Sequence, residues 1–506
     1  MSIGVDRFPA DDRSTEESHL LHVLGDWSAG DGPLYRQLAD AVRRGVEEGA
    51  LSSGSALPAE RRLATLLAVS RATVVAAYDQ LRGDGMVESR RGSGSRIAAG
   101  ARPSRVPGSD GRVPGGYSAV LFQRLIDGPG MVLSLSTAAG GADHTVATAL
   151  QEVAQHDLDR AMRDPGYQPL GIAPLRAGIA GYLGRVGLPS SPGEILVTIG
   201  AHQAISLIAG LYLRPGSRVA VEAPSWPACL DIFRASGAVL VPVPVDTDGI
   251  RPAALARVLA EAPVDLVYLM PTYHNPTGAM LSATRRRRIV ELAAEHKVVV
   301  VSDDALSGVS LGGDVAPPVA SFEAAAGGRP VTLLELGSLS KSVWGGLRIG
   351  WVRGPADVIN RLARRKALAD LGSPIIDQLV AARIVTKLDT LITRRVPERQ
   401  AQLSRLEELL TKHLPSWRWW RPAGGPSLWI ELPGVDATVF AQVALRHGVE
   451  VIPGRSMDPA GGHDSYLRMP YCFSDEFLDE VVRRLAAAWA DLRQHGPWVP
   501  RLRPVV

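Results

Sequence analysis

Val331-Thr332-Leu333-Leu334-Glu335-Leu336-Gly337-Ser338-Leu339-Ser340-Lys341 is the stretch on which the architecture turns. A short apolar run closed by glycine reads as a buried strand. It delivers Lys341 into the loop at its C-terminal end, the edge where open α/β sheets hold ligands. A lysine after a strand is, taken alone, a surface ammonium. Four features upstream and one downstream change that reading.

Asp303-Asp304 ends the apolar run Val298–Val301, where a carboxylate either caps a helix or holds a cationic ring nitrogen. Tyr273-His274-Asn275-Pro276-Thr277-Gly278 follows Val264–Met270, and Asn275 is either a turn residue or a donor to a phenolate oxygen. Pro224-Ser225-Trp226-Pro227 follows Arg218–Glu222 and places an aromatic where it could stack on a flat ring. Thr198-Ile199-Gly200-Ala201-His202-Gln203 follows Glu194–Thr198 and opens a helix, so its backbone N–H groups can face an anion. Downstream, Gly345-Gly346-Leu347-Arg348 adds a fork-shaped cation. The alternation of short apolar runs with helical patterns predicts a largely parallel sheet covered on both faces. After Asp370 the helical stretch Val396–Lys412, the run Leu428–Leu432 and a last helix near Asp475–Arg493 read as a smaller α+β subdomain.

Together these parts suit pyridoxal 5′-phosphate. Its aldehyde needs an amine, supplied by Lys341. Its ring nitrogen must stay protonated to draw electrons, and a paired carboxylate raises that pKa. Its phosphate needs backbone N–H groups and a cation, here Arg348 with Ser338. His202 and His274 read as loop hydrogen-bonders, because no cysteine or carboxylate falls at metal spacing, so no metal is expected. Cys229 and Cys472 are the only cysteines, too few for a disulfide framework or a zinc cluster.

From about Ser134 to Arg493 the chain resembles a class I aminotransferase of fold type I. Asn275-Pro276-Thr277-Gly278 and Ser338-Leu339-Ser340-Lys341 carry the resemblance. It implies that Asp303 pairs with the pyridine nitrogen, Asn275 with O3′, and that Trp226 stacks on the ring. Gly200, Ala201 and His202 would line the phosphate loop with Ser338 and Arg348. Arg468, in Tyr466-Leu467-Arg468-Met469, matches the arginine that clamps a substrate carboxylate bidentately. Three positions depart from the family. Ala305 and Leu306 stand where a tyrosine helps hold O3′, Ala201-His202 where a hydroxyl or amide side chain is common, and Gly345 where proline is frequent. Each lost cofactor contact costs roughly 1 kcal/mol or more, which weighs against efficient transamination.

The first hundred residues have another character. Between Pro33 and Ile97 stand ten arginines against seven acids, an excess of three that equals the net charge of the whole 506-residue chain. Such a segment suits nucleic acid as a partner. Pro58-Ala59-Glu60-Arg61-Arg62-Leu63-Ala64 opens one helix, with proline at a favoured starting position, and Ser70 caps the next. Val74, Tyr78 and Leu81 share a face of that second helix, while Arg71 and Thr73 lie off it near the N-terminal end. Two short strands, Met86–Ser89 and Ser95–Ile97, flank Arg90-Arg91-Gly92-Ser93-Gly94. A helix pair followed by a basic, glycine-tipped hairpin is the plan of a winged DNA-binding head. The segment resembles the winged helix-turn-helix of GntR-family regulators. By that resemblance Arg61 and Arg71 touch phosphates or bases, Thr73 a phosphate, and Arg91, Gly92, Ser93 and Gly94 the minor groove.

The expected layout is a mobile tail over 1–30, a winged helix-turn-helix (α+β) over 31–98, and a Pro/Gly/Ser linker over 99–125. Residues 126–500 form the α/β pyridoxal-phosphate transferase domain of fold type I. This combination resembles the MocR subgroup of regulators. It implies a homodimer that binds a double-stranded operator and responds to an amine, an amino acid or the cofactor itself. The alternatives are a working aminotransferase with an accessory head, and a DNA-binding protein whose second domain only dimerises. No signal pattern or apolar stretch of membrane length is present, so a cytoplasmic protein is expected.

Overall fold

The computed structural model describes residues 17, 19–21, 23–25, 27–28, 32–90, 94–99, 132–138 and 140–495. In the head, α1 (Leu34–Glu47) buries Leu38, Ala39, Val42 and Val46. A short strand β1 (Ala56–Leu57) leads to α2 (Glu60–Leu67), which ends at Ala68 in the left-handed conformation (φ 51°). The helix starts two residues after Pro58. That proline serves instead through its carbonyl, which accepts the Tyr78 hydroxyl at 2.9 Å. Next comes α3 (Arg71–Gly83), with Val74, Ala77, Tyr78 and Leu81 buried; the Ser70 hydroxyl accepts the Thr73 N–H at 3.1 Å. The hairpin β2 (Val87–Arg90) and β3 (Gly94–Ile97) is antiparallel, and β3 also pairs with β1. Arg91, Gly92 and Ser93 at its tip lie outside the described residues, as does nearly all of the expected linker.

Of the segment expected as a mobile tail, residues 1–16 lie outside the described residues, while the described part from Glu17 to Ser28 is packed onto the head. Glu17, His19, Leu20, Leu21, Val23 and Leu24 are helical, and Leu20, Leu24 and Trp27 are buried in the core of the head. The reason is apolar area: Leu20 and Leu24, one helical turn apart, join the buried cluster that holds Leu38, Val42 and Val46 of α1.

The large domain follows β4 (Leu133–Ser134) and is built on β5 (Ile195–Thr198), β6 (Arg218–Ala223), β7 (Val239–Asp246), β8 (Gly249–Ile250), β9 (Leu266–Leu269), β10 (Val299–Asp303), β11 (Leu333–Ser338) and β12 (Gly350–Arg353). The sheet order is β5-β12-β11-β10-β9-β6-β7-β8. From β7 to β11 neighbouring strands run parallel, while β12 is antiparallel to both β11 and β5. All residues of β5, β9 and β11 are buried, as a helix-covered parallel sheet requires. Strands β7 and β12 carry no clear signal in sequence. The first is interrupted by Pro242 and Pro244, and the second, Gly350-Trp351-Val352-Arg353, has only two apolar side chains between a glycine and an arginine.

The smaller subdomain is a sheet of β13 (Arg418–Trp419), β14 (Ser427–Glu431), β16 (Ile452–Pro453) and β17 (Tyr466–Pro470), ordered β13-β14-β17-β16. The separate β15 (Val449–Glu450) pairs in parallel with β4, so the chain entering the large domain is stitched to the small one. Three helices complete it, and α4 (Ala201–Tyr212) of the large domain precedes them: α5 (Val396–His413), α6 (Ala437–Arg446) and α7 (Asp475–His495). Helix α6 packs against α2 of the head.

Candidate cofactor site and nucleic-acid interface

The expected site residues gather at one edge of the large sheet. Asp303 ends β10 and Lys341 stands three residues beyond β11; Asn275 and Trp226 follow β9 and β6, and Gly200 follows β5. These strands are neighbours in the sheet apart from β5, which the antiparallel β12 separates from β11.

The Lys341 Nζ donates to the Ala138 carbonyl at 3.1 Å. Burial, and then the positive charges of Arg468 and Arg348, pull its pKa down to about 8. A neutral amine, the nucleophilic form, is therefore accessible near neutral pH. Asp303 is 4% exposed. Its carboxylate accepts the Tyr268 hydroxyl at 2.6 Å and the Ala305 N–H at 3.0 Å. Burial pushes its pKa up to about 6, and among the described residues no cation forms an ion pair with it. A buried acid with donors but no counter-charge is suited to a cationic ring N–H.

Gly200, at the entrance to α4, has φ 87°, and a Cβ there would stand 3.0 Å from the Arg348 Nη2. Arg348 reaches across to donate to the Ile199 carbonyl at 2.8 Å, which fixes a cation beside the open N–H groups of the helix. Ala201 is the first residue of that helix. The His202 ring meets Trp226 edge-on, with centroids 5.6 Å apart at 80°. Loss of hydration against the surrounding protein, and then the positive charge of Arg348, hold the His202 pKa below the usual value. Asn275 is half-buried beside His274, which is itself buried 3.4 Å from Glu222 and pushed down to about 3 by burial, hence neutral.

Ser338 is turned into the sheet, accepting the Ser340 N–H at 3.1 Å and donating to the Ile349 carbonyl at 3.4 Å. The Ser340 Oγ is one of several buried hydroxyls that find no partner among the described residues. Arg468, on β17 of the small subdomain, is buried; its Nη2 donates to Leu135 and Ser136 carbonyls at 3.3 and 2.5 Å. Its Nε is a buried donor with no acceptor, and burial lowers the guanidinium pKa to about 10. A cavity of about 450 Å³ opens beside Lys341, walled by Ala138, Pro426, Tyr471 and Phe473. The unpaired acid, the glycine-and-arginine cradle and the two orphaned donors fit pyridoxal phosphate and an amino-acid carboxylate. Among the described residues no cluster of His, Cys, Asp and Glu is placed to hold a metal.

In the head, Arg61 in the first turn of α2 and Arg71 at the start of α3 are exposed, and Arg71 is held by Glu60 at 3.1 Å. The Thr73 hydroxyl lies 2.8 Å from that of Ser70. Gly94 opens β3 with φ 78° and free space around its Cα.

Sequence reasoning missed Tyr268, Arg399 and Arg446. Tyr268 had a readable signal: a phenol inside a fully buried strand needs an acceptor. The two arginines had none, since their partners lie far away in sequence.

The comparisons agree with this geometry. The family described as "Aminotransferase class I and II" matches residues 129–485, and "Bacterial regulatory proteins, gntR family" matches residues 34–97. The uncharacterized HTH-type transcriptional regulator YdfD of Bacillus subtilis is 30% identical over 87% of this chain and 93% of its own length. The HTH-type pyridoxine biosynthesis transcriptional regulator PdxR of Corynebacterium glutamicum is 30% identical over 67% and 69%. Among solved structures, LysN, an α-aminoadipate aminotransferase from Thermus thermophilus complexed with N-(5′-phosphopyridoxyl)-L-leucine, superposes with a TM-score of 0.67 at 29% identity. That match covers 74% of this chain and 95% of the enzyme. With the transferase fold and a DNA-binding head in one chain, the protein belongs to the class I and II aminotransferase family, in the GntR-headed arrangement of the MocR-type transcription regulators.

Proposed function

We propose that the protein is a DNA-binding regulator that holds pyridoxal 5′-phosphate at Lys341 and reads an amine, an amino acid or the cofactor itself as its signal. One observation carries this reading: the subdomain that bears Arg468 is also the one that touches the DNA-binding head. A ligand drawn to Arg468 acts on the surface that seats the head.

Bound at this site, the cofactor supplies an electrophilic carbon for an amine and a ring that withdraws electrons. The chain's own residues do the rest. Lys341 offers a neutral amine. Asp303, oriented by Tyr268, would pair with the ring nitrogen, and Asn275 would donate to O3′. Trp226 would cover the ring, and Gly200, Ala201, His202, Arg348 and the serines Ser338 and Ser340 would take the phosphate. The orphaned Nε of Arg468 receives a carboxylate. Arg61, Arg71, Thr73 and the hairpin tip contact an operator, as a homodimer with two heads reading two half-sites. Signalling requires the ligand to favour one head arrangement over the other.

The test is DNA binding by the purified, cofactor-loaded protein, repeated with added amino acids. A ligand-dependent shift in operator affinity is expected. A preparation that stays colourless with excess cofactor, and never gains its mass, overturns the reading. The second reading, a working aminotransferase, draws on the retained Lys341, which can move a proton at a substrate carbon. Against it stands Leu306, a buried apolar side chain near the position where the family carries a tyrosine. Turnover with a panel of amino donors separates the two.

A further inference from the structure

The cavity beside Lys341 has a second cationic wall. Arg399 on α5 lines it and is 4% exposed. Its Nη1 makes one long bond, 3.5 Å, to the Ser310 carbonyl, and its Nη2 is buried with no acceptor. The acids of the same wall are engaged elsewhere: Glu398 takes Arg395 at 3.4 Å, and Asp143 takes Arg394 at 2.7 Å. Among the described residues no carboxylate forms an ion pair with Arg399. A buried guanidinium with an orphaned N–H is costly unless a ligand completes it.

We infer that Arg399 is the receptor for a second anionic group on the effector, so that the signal is a dicarboxylic amino acid. Arg468 takes the α-carboxylate, the amine meets Lys341 and the cofactor, and the side-chain carboxylate turns toward α5. Pro426, Tyr471 and Phe473 supply the apolar wall along which the intervening methylenes run. Arg395 stands beside this point and strengthens the positive field, though Glu398 offsets its charge. The inference rests on the sensor reading above and narrows its ligand class.

Isothermal titration of the full-length, cofactor-loaded protein tests it, with L-glutamate and L-norvaline as probes of similar length. Glutamate binds more tightly than norvaline in the parent protein. Arg399→Met weakens glutamate roughly 10- to 100-fold, the span of one lost charge-assisted hydrogen bond, and leaves norvaline unchanged. Arg399→Lys restores part of the preference and guards against a folding defect in the methionine variant. Equal affinities in the parent, or equal losses for both probes in Arg399→Met, overturn the assignment while leaving the sensor reading standing. If neither probe binds although the cofactor is in place, the amino-acid sensor reading fails and this inference with it.

Discussion

Arg446 and Leu67, 379 positions apart, are joined by a 2.8 Å hydrogen bond from the arginine Nη1 to the leucine carbonyl. The Nη2 of the same arginine donates to the Ala68 carbonyl at 3.0 Å. Arg446, the last residue of α6, thereby satisfies the open carbonyls at the C-terminal end of α2, where a positive charge is favoured. Nearby, the Trp27 indole N–H donates to Gln442 at 3.3 Å. The head rests on the small subdomain of its own chain through these contacts.

Arg446→Ala is therefore expected to loosen the head by about 2 kcal/mol, the scale of charged hydrogen bonds to a helix terminus. Calorimetry should resolve a separate, earlier transition for the head. Operator affinity should survive, while its response to amino acids should shrink. A single unchanged transition would remove α6 as the seat of the head.

Arg71→Ala should weaken operator binding without bleaching the cofactor. Loss of one phosphate contact reduces the salt slope of binding by about 1. Filter binding or fluorescence anisotropy over a range of salt concentrations checks it, and an unchanged slope would place the phosphate contact elsewhere.

Lys341 is held down to about 8 by burial and by the charges of Arg468 and Arg348. Because the neutral amine attacks the cofactor aldehyde, the rate of cofactor uptake should rise with pH through about 8 and level off above it. Removing one of the two cations relieves the depression, so Arg468→Met should move the midpoint upward. Stopped-flow absorbance of the apoprotein mixed with cofactor reads both midpoints; a variant midpoint at or below that of the parent would contradict the coupling.

Gly200→Ala forces a side chain into φ 87° and against Arg348 at 3.0 Å. With ψ 168° this backbone lies in a region almost confined to glycine, and the conformational cost alone is about 1–3 kcal/mol. Cofactor affinity should fall by roughly tenfold, a difference in free energy of about 1.4 kcal/mol, with only a modest drop in melting temperature. An unchanged dissociation constant, measured by absorbance titration, would remove this turn from the phosphate cradle.

Ser70→Ala removes the hydroxyl that accepts the Thr73 N–H and should destabilise α3 by about 1 kcal/mol. Circular dichroism melts of the head region follow it. Thr73→Ala, which spares this cap, should cost less stability.

Much of this molecule was readable before folding. The apolar runs that became β5, β6, β9, β10 and β11 are local signals, because a strand buried on both faces must be apolar along its length. The loops after them were legible for the same reason: a glycine before a helix, an asparagine before proline or a lysine after a strand is a departure from the surrounding pattern. The helix pair of the head declared itself through Ser70 and the Val74, Tyr78 and Leu81 stripe. What folding alone decided are pairings between distant positions. Tyr268 finds Asp303 because β9 and β10 lie side by side, and Ser340, not Ser338, is left with a free hydroxyl because Ser338 turns back to Ile349. Leu20 and Trp27 lie within the segment expected as a tail, and their burial with α1 exists only in the folded head. Arg399 without an acid and Arg446 on Leu67 follow from which groups the packing leaves unmatched. Periodicity reports the character of a segment, whereas hydrogen-bond partners and counter-charges depend on distances that exist only once the chain has closed upon itself.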